Sequence, residues 1–263
     1  MARLIPLFSG SSGNSYYIGT KESGILIDAG KNAKQLTIML QNGGVDPLAV
    51  QGIFVTHEHS DHISGLRVFA SKYNIPVFAT EGTLDALTIG GVINGKFPAY
   101  KMESGIQLAD MEIKSFRTSH DCAESCGYRI KTADGKIFAI ATDLGYISET
   151  VAENLYGADM VVIESNHDVD MLRMGPYPYP LKRRILSDSG HLSNAACAEF
   201  LPKLYRSGCR RFLLAHLSRE NNTPDVAYQT ALCSLVMEGC VKDVDFTLSV
   251  APRENNLGTN IIF

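Results

Sequence analysis

Thr56-His57-Glu58-His59-Ser60-Asp61-His62 places three imidazoles and an aspartate within six residues, and nothing else in the sequence restricts the fold as tightly. Phe54-Val55-Thr56 before it is the apolar end of a buried strand, and Ile63–Tyr73 after it has the apolar spacing of a helix. The run therefore falls on a strand-to-helix loop, where functional groups collect on a rigid frame. A solvated polar loop accounts for a lone histidine. It does not account for three with a carboxylate, because clustered unpaired imidazoles add no stability. Imidazole nitrogen and carboxylate oxygen together suit zinc, manganese or iron. One loop cannot enclose two ions, so further ligands are expected from later strand ends.

Short β-rich runs, each bounded by Gly, Asn, Asp or Pro, fill the first half: 3–8, 15–19, 24–28, 52–56, 76–79, 105–108, 111–116, 126–131 and 136–142. Helical periodicity marks 33–42, 63–73, 83–90, 148–155, 194–206 and 224–237, and the last strand candidates are 160–164, 212–215, 246–250 and 260–263. Groups of strands interrupted by single helices predict an α/β chain in which two sheets pack face to face with helices outside, in four layers. Consecutive strands with no helix between them count against a doubly wound parallel sheet. No linker-like stretch divides the sequence, so residues 1–263 are expected to form a single domain.

Three later residues answer the demand for ligands. His120 follows the strand at 111–116, Asp143 follows the apolar Ile137–Ala141, and His216 follows Phe212–Ala215. Each alone suits a turn equally well; their shared place just past a strand end makes them a set. The pattern His-x-His-x-Asp-His, then His, Asp and His, resembles the metallo-β-lactamase superfamily over nearly the whole chain. That resemblance implies an αββα sandwich with two divalent metal ions. It implies that His57, His59 and His120 hold one ion, that Asp61, His62 and His216 hold the second, and that Asp143 bridges them. Asp28, in Ile25-Leu26-Ile27-Asp28-Ala29-Gly30, would buttress the metal loop, although a strand ending in Asp-Ala-Gly is also a common turn. Two metals that share a water acidify it to hydroxide at neutral pH, which suits the site to hydrolysis and counts Asp61 among the catalytic groups.

β-Lactamases of this fold commonly carry a cysteine where Asp143 stands, and flavodiiron proteins a glutamate at the position of His59; antibiotic hydrolysis and that redox branch are disfavoured. Ser189-Gly190-His191-Leu192-Ser193-Asn194, with Phe212–Ser218 after the next helix, is similar to the transfer-RNA-processing nuclease RNase Z, where the matching histidine protonates the leaving group. His191 is accordingly the candidate general acid. A structural place beside an N-cap at Ser193 is compatible with that role. Phe8–Ser15, Thr56–His62, Ile163-Glu164-Ser165-Asn166-His167-Asp168, Gly175-Pro176-Tyr177-Pro178 and Leu181-Lys182-Arg183-Arg184-Ile185 together resemble the bacterial YycJ/WalJ group. This implies a metal-dependent nuclease, with 5′-exonuclease action on DNA as the leading activity.

Lys182, Arg183 and Arg184 stand shortly before His191 and are candidate phosphate contacts, with a solvated basic turn as the plain alternative. Tyr177 and Tyr179, spaced by prolines, suit either stacking on single-stranded bases or a rigid surface loop. His167 is a candidate substrate contact or a turn cap, and Glu164 and Asn166 rank below it. Ser9–Ser15 suits a tight turn better than a phosphate cradle, since it lacks the Lys-Ser/Thr ending of a P-loop.

A net charge of −4 argues against a broadly basic nucleic-acid surface and confines phosphate contacts to local patches. Neither a signal peptide nor the roughly 18 apolar residues of a bilayer span is present, so a cytoplasmic protein without a membrane partner is expected. The six cysteines lack secreted-framework spacing and are expected as reduced thiols, with Cys122 and Cys126 too loosely spaced for a metal knuckle. The leading expectation is a dinuclear phosphodiesterase acting on nucleic acid, DNA before RNA. A small-molecule hydrolase of a cyclic phosphodiester or thioester is the alternative, and an iron-dependent oxidoreductase with a mononuclear site is more distant.

Overall fold

The computed structural model describes residues 2–102 and 105–262. Among these, the first sheet takes β1 (Arg3–Phe8), β2 (Ser15–Gly19), β3 (Gly24–Ile27), β4 (Val50–Phe54), β5 (Val77–Ala79) and β6 (Ala99–Lys101). The second takes β7 (Ile106–Leu108), β8 (Met111–Arg117), β9 (Cys126–Lys131), β10 (Ile137–Ala141), β11 (Met160–Glu164), β12 (Arg211–Ala215) and β13 (Thr247–Val250). β14 (Ile261–Ile262) returns to the first sheet beside β1. Each sheet is antiparallel on one side and parallel on the other, with β3 to β6 parallel in the first and β10 to β13 in the second. Antiparallel neighbours need only short turns, whereas parallel neighbours need crossovers, and here helices supply most of them. They are α1 (Ala33–Asn42), α2 (Ser60–Ile63), α3 (Leu66–Tyr73), α4 (Glu81–Ile89), α5 (Glu149–Leu155), α6 (Val169–Met174), α7 (Tyr179–Ile185), α8 (Asn194–Arg206) and α9 (Pro224–Met237).

Side-chain alternation sorts these strands into layers. In β3, Ile25 and Ile27 enter the core between the sheets, while Leu26 joins the core under α1 and α3. In β11, Met160 and Val162 face the other sheet, while Val161 and Ile163 face α8 and α9. Strands buried on both faces carry continuous apolar runs, as β3 and β11 do. Three apolar cores therefore separate four layers, helices, sheet, sheet, helices, as the strand grouping predicts. Phe54 sits fully buried in the middle core, stacked on Phe78 at 4.8 Å and edge-on to Tyr128 at 5.7 Å. Burial of one such ring contributes roughly 1.5–3 kcal/mol.

Local differences from the sequence reading have local causes. The helix expected over 63–73 gives way to α2 and α3, because the Gly65 N–H leaves the helical ladder to donate to the Ala29 carbonyl at 2.9 Å; glycine is needed there, since an added Cβ would stand 1.8 Å from the Lys31 carbonyl oxygen. α6 and α7 were not anticipated. Asp168 caps α6 through the Asp170 and Met171 amides, and Pro180 sits in the first turn of α7, where a missing N–H costs nothing. β6 is three residues long and has no apolar alternation. Of the strand expected at 260–263, Ile261 and Ile262 pair with β1, and Phe263 lies outside the described residues. Among the described residues no helix is long and apolar enough to cross a membrane.

Candidate metal centre

β3, β4, β8, β10, β11 and β12 deliver polar residues at or just past their C-terminal ends: Asp28, Thr56-His57, His120, Asp143, Glu164 and His216. Both sheets thus contribute to one site, the usual place for function in open α/β sheets. Asp28, Asp143 and His216 all turn through left-handed backbone, with φ of 60°, 55° and 55°. Such conformations are uncommon outside glycine and gather at functional sites. His216 is held there from both sides: its N–H donates to Ser9 Oγ at 2.9 Å, and its carbonyl accepts from Asn166 Nδ2 at 2.8 Å.

The imidazoles crowd together. Ring centroids lie 4.7 Å apart for His57 and His59, 5.1 Å for His59 and His120, 5.1 Å for His120 and His191, and 5.3 Å for His191 and His216. Their hydrogen bonds fix which nitrogen is left over. Asp28 Oδ2 accepts from Thr56 Oγ1 at 2.8 Å and from His62 Nδ1 at 2.7 Å. With its proton committed to Asp28, the Thr56 oxygen accepts from His57 Nδ1 at 3.0 Å. His120 Nδ1 donates to the Gly190 carbonyl at 3.0 Å, and His216 Nδ1 to Glu164 Oε1 at 2.8 Å. Each of these four rings is therefore anchored through Nδ1 and turns Nε2 toward the common centre, the arrangement that prepares an imidazole to ligate.

The buried groups at that centre lack partners that a cation would provide. His57 Nε2, His216 Nε2 and Asp143 Oδ2 are buried and make no hydrogen bond among the described residues. Donor atoms of His57, His59 and His120, of His57, His62 and Asp143, and of Asp61, His62 and His216 each converge within 4.8 Å. Burial and the neighbouring rings hold His57 well below its usual pKa, keeping it neutral. Burial also works against a charge on His216, yet Asp143, Asp61 and Glu164 outweigh it and raise that ring to about 10. His62 is likewise raised against burial, by Asp143 and Asp28. The carboxylates thus demand positive charge at the centre, and a divalent cation displacing those protons satisfies the same demand. The residues fit a metal.

Of the other expected residues, His191 borders the centre, with Nδ1 2.8 Å from Glu164 Oε1, and its neighbour but one, Ser193, caps α8. Asp61 lies 3.5 Å from His62 Nε2 and 3.6 Å from His216 Nε2, and those rings keep it well below the usual carboxylate range despite burial. His167 is 1 % exposed, both its ring nitrogens make no hydrogen bond among the described residues, and burial lowers it to about 4. The basic trio sits on α7. Lys182 donates to the Arg173 carbonyl at 2.7 Å, and Arg184 grips Asp121, the neighbour of His120, through Nε and through Nη2 at 2.9 Å. All six cysteines are free, and Cys126 turns its sulfur to the Val55 and Thr56 carbonyls.

Two residues matter more than the sequence suggested. Glu164, ranked below His167, is fully buried and binds His191, His216 and the Leu144 and Leu192 amides. It stands at the end of an apolar strand, the same signal that singled out Asp143, and that signal was available. Asn14 carries no such mark. Its side chain donates to Asp61 Oδ2 at 3.2 Å and approaches His62 Nε2 at 3.1 Å, while its backbone N–H meets the Asp61 carbonyl at 2.7 Å. The Ser9–Ser15 turn therefore clamps the metal loop, and its Gly10, Gly13 and Asn14 amides are spent on internal partners. Gly30 closes this clamp, with the position of a Cβ only 1.8 Å from the Asp61 carbonyl oxygen. Gly30→Ala is expected to destabilise by about 1–3 kcal/mol or more. It should also weaken metal loading, both read from thermal melts with and without added ion.

The description "Beta-lactamase superfamily domain" belongs to the family profile that matches residues 24–217. The chain is 42% identical over 223 residues to "Exodeoxyribonuclease YycJ" of Bacillus anthracis, covering 84% of each chain. It is 39% identical over 244 residues to "Exodeoxyribonuclease WalJ" of Streptococcus pneumoniae, covering 91% of this chain and 90% of that one. The crystal structure of the metallo-beta-lactamase fold protein YhfI from Bacillus subtilis superposes with a TM-score of 0.73 over 96% of this chain and 97% of the other, at 14% identity. With the strand-end cluster of histidines and carboxylates, these likenesses identify the chain as a metal-dependent hydrolase of the metallo-β-lactamase superfamily and a member of its YycJ/WalJ family.

Proposed function

We propose that the protein is a dinuclear exonuclease acting on DNA. His57, His59 and His120 would hold one divalent ion, Asp61, His62 and His216 the other, and Asp143 both. The observation that carries this reading is the set of buried atoms His57 Nε2, Asp143 Oδ2 and His216 Nε2, which make no hydrogen bond among the described residues and are contributed by both sheets to one centre. The names of the YycJ and WalJ relatives support the choice of DNA. Two divalent ions supply Lewis acidity toward a phosphoryl oxygen and acidify water at neutral pH.

The chain's own residues supply the rest. Asp28, through Thr56 and His62, fixes the ring orientations, and Glu164 does the same for His216 and His191. With Nδ1 donating to Glu164, His191 is oriented to act as general acid, giving a proton from Nε2 to the oxygen that leaves when the P–O bond breaks. Its side chain is 18% exposed, enough to reach a substrate at the mouth of the site. Lys182, Arg183 and Arg184 lie on α7, which ends shortly before His191; Lys182 and Arg184 hold partners within the protein, so Arg183 is the one that would meet a backbone phosphate.

The test is incubation of metal-reconstituted protein with 5′-phosphorylated single- and double-stranded DNA and RNA, in zinc, manganese or iron, with Asp61→Ala as control. Stepwise shortening of DNA, lost in the control, is the expected result. No cleavage by protein shown to hold two ions would overturn the reading.

A further inference from the structure

The three cations of α7 are not equivalent. Lys182 is committed to the end of α6 and so joins the two helices into one arm, while Arg184, committed to Asp121, braces that arm against the body of the protein. Arg183 is exposed and has no ion pair or hydrogen bond among the described residues. Tyr179 precedes it by four residues, which sets the two side chains on one face of the helix. That ring is 73% exposed and no other ring contacts it among the described residues, and Met174 at the end of α6 is 82% exposed. Arg173, beside Met174, is likewise exposed, and its guanidinium makes no ion pair or hydrogen bond among the described residues.

The arm thus carries a large exposed aromatic ring, an exposed thioether and two exposed guanidinium groups. The chemistry that matches them has flat faces alternating with anions. Single-stranded nucleic acid presents both; a duplex keeps its base faces inside the stack. The arm is also well placed. Arg184 ties its last turn to the residue after His120, and the Ile185 carbonyl accepts from the His191 N–H at 3.0 Å. A strand leaving the site on the His120 and His191 side would meet this surface.

We propose that the outer face of α7, with the end of α6, is a platform for single-stranded DNA, on which Tyr179 stacks against a base while Arg183 meets the neighbouring phosphate. The proposal rests on the nuclease reading and adds the form of the substrate. It makes Tyr179 a strand-form selector and separates Arg183 from its two bracing neighbours.

The test measures anisotropy of a fluorescent phosphorothioate oligothymidine and of a duplex of equal length, on metal-loaded wild type, Tyr179→Ala, Tyr179→Phe and Arg183→Ala. Melting temperature and metal content serve as fold controls. Tyr179→Ala is expected to weaken single-strand binding by about 5- to 100-fold, with a smaller change for duplex, and Tyr179→Phe to restore it. Arg183→Ala should lower the salt slope for the single strand by about 0.7. Wild-type single-strand affinity in folded Tyr179→Ala would overturn the platform while leaving the nuclease reading standing. Wild-type protein that turns over bis(p-nitrophenyl) phosphate yet binds neither oligonucleotide would overturn both.

Discussion

His59→Ala is expected to lose metal and activity together while the ion-free protein melts almost where the wild type does. The reason lies in where His59 sits. It is only half buried, occupies the N-cap position of the single-turn α2 and makes no side-chain capping bond, so its truncation removes little packing. Substitutions of that kind usually shift stability by no more than about 0.5 kcal/mol. Its ring nevertheless lies against both His57 and His120, and on the proposed ligand set it is one of three imidazoles on a single ion. Removing a residue that merely orients a ligand costs about 10–100-fold in affinity or activity. Loss of the ligand itself should exceed that. Elemental analysis after dialysis should show one ion or none, and added metal should raise the melting temperature far less than in the wild type. Two retained ions with wild-type turnover would remove His59 from the site.

His191→Ala should do the opposite to the ions, keeping both, and lower the rate by about 10²–10⁴-fold. Glu164 decides this. After the substitution that carboxylate still accepts from His216 Nδ1 and from the Leu144 and Leu192 amides, so the buried charge is not abandoned and His216 keeps its orientation. The defect should therefore fall on proton delivery. It should shrink for substrates whose leaving group is already acidic, such as a nitrophenolate ester, and remain large for DNA, whose leaving oxygen is an alkoxide. An equal loss on both substrates would assign His191 to positioning, and full activity on DNA would exclude it from the reaction.

Much of the centre was legible because its residues interrupt strong apolar patterns. Asp143 ends Ile137–Ala141 and His216 ends Phe212–Ala215, runs buried on both faces, so the polarity break marks a strand end without any structure. What escaped had weaker signals. α6 and α7 are six and seven residues long, below the length at which periodicity is convincing, and the intervening proline-rich stretch looks like a loop. The left-handed turns at Asp28, Asp143 and His216 use residues other than glycine, so composition gives no warning of them. Asn14 acts through space, 47 and 48 residues from the carboxylate and imidazole it touches, and the pairing of β1 with β2, β2 with β3 and β3 with β4 brings it there.

The division of the site between the two sheets has a consequence for how the molecule comes into being. Chains leave the ribosome N-terminus first, so His57, His59, Asp61 and His62 emerge with the first sheet long before β10 and β12 exist. Until Asp143 and His216 arrive, no partly made chain owns the full set of groups. On the proposed reading, hydrolysis of DNA would thereby wait on the completion of the fold, since the groups that would hold the ions come together only then.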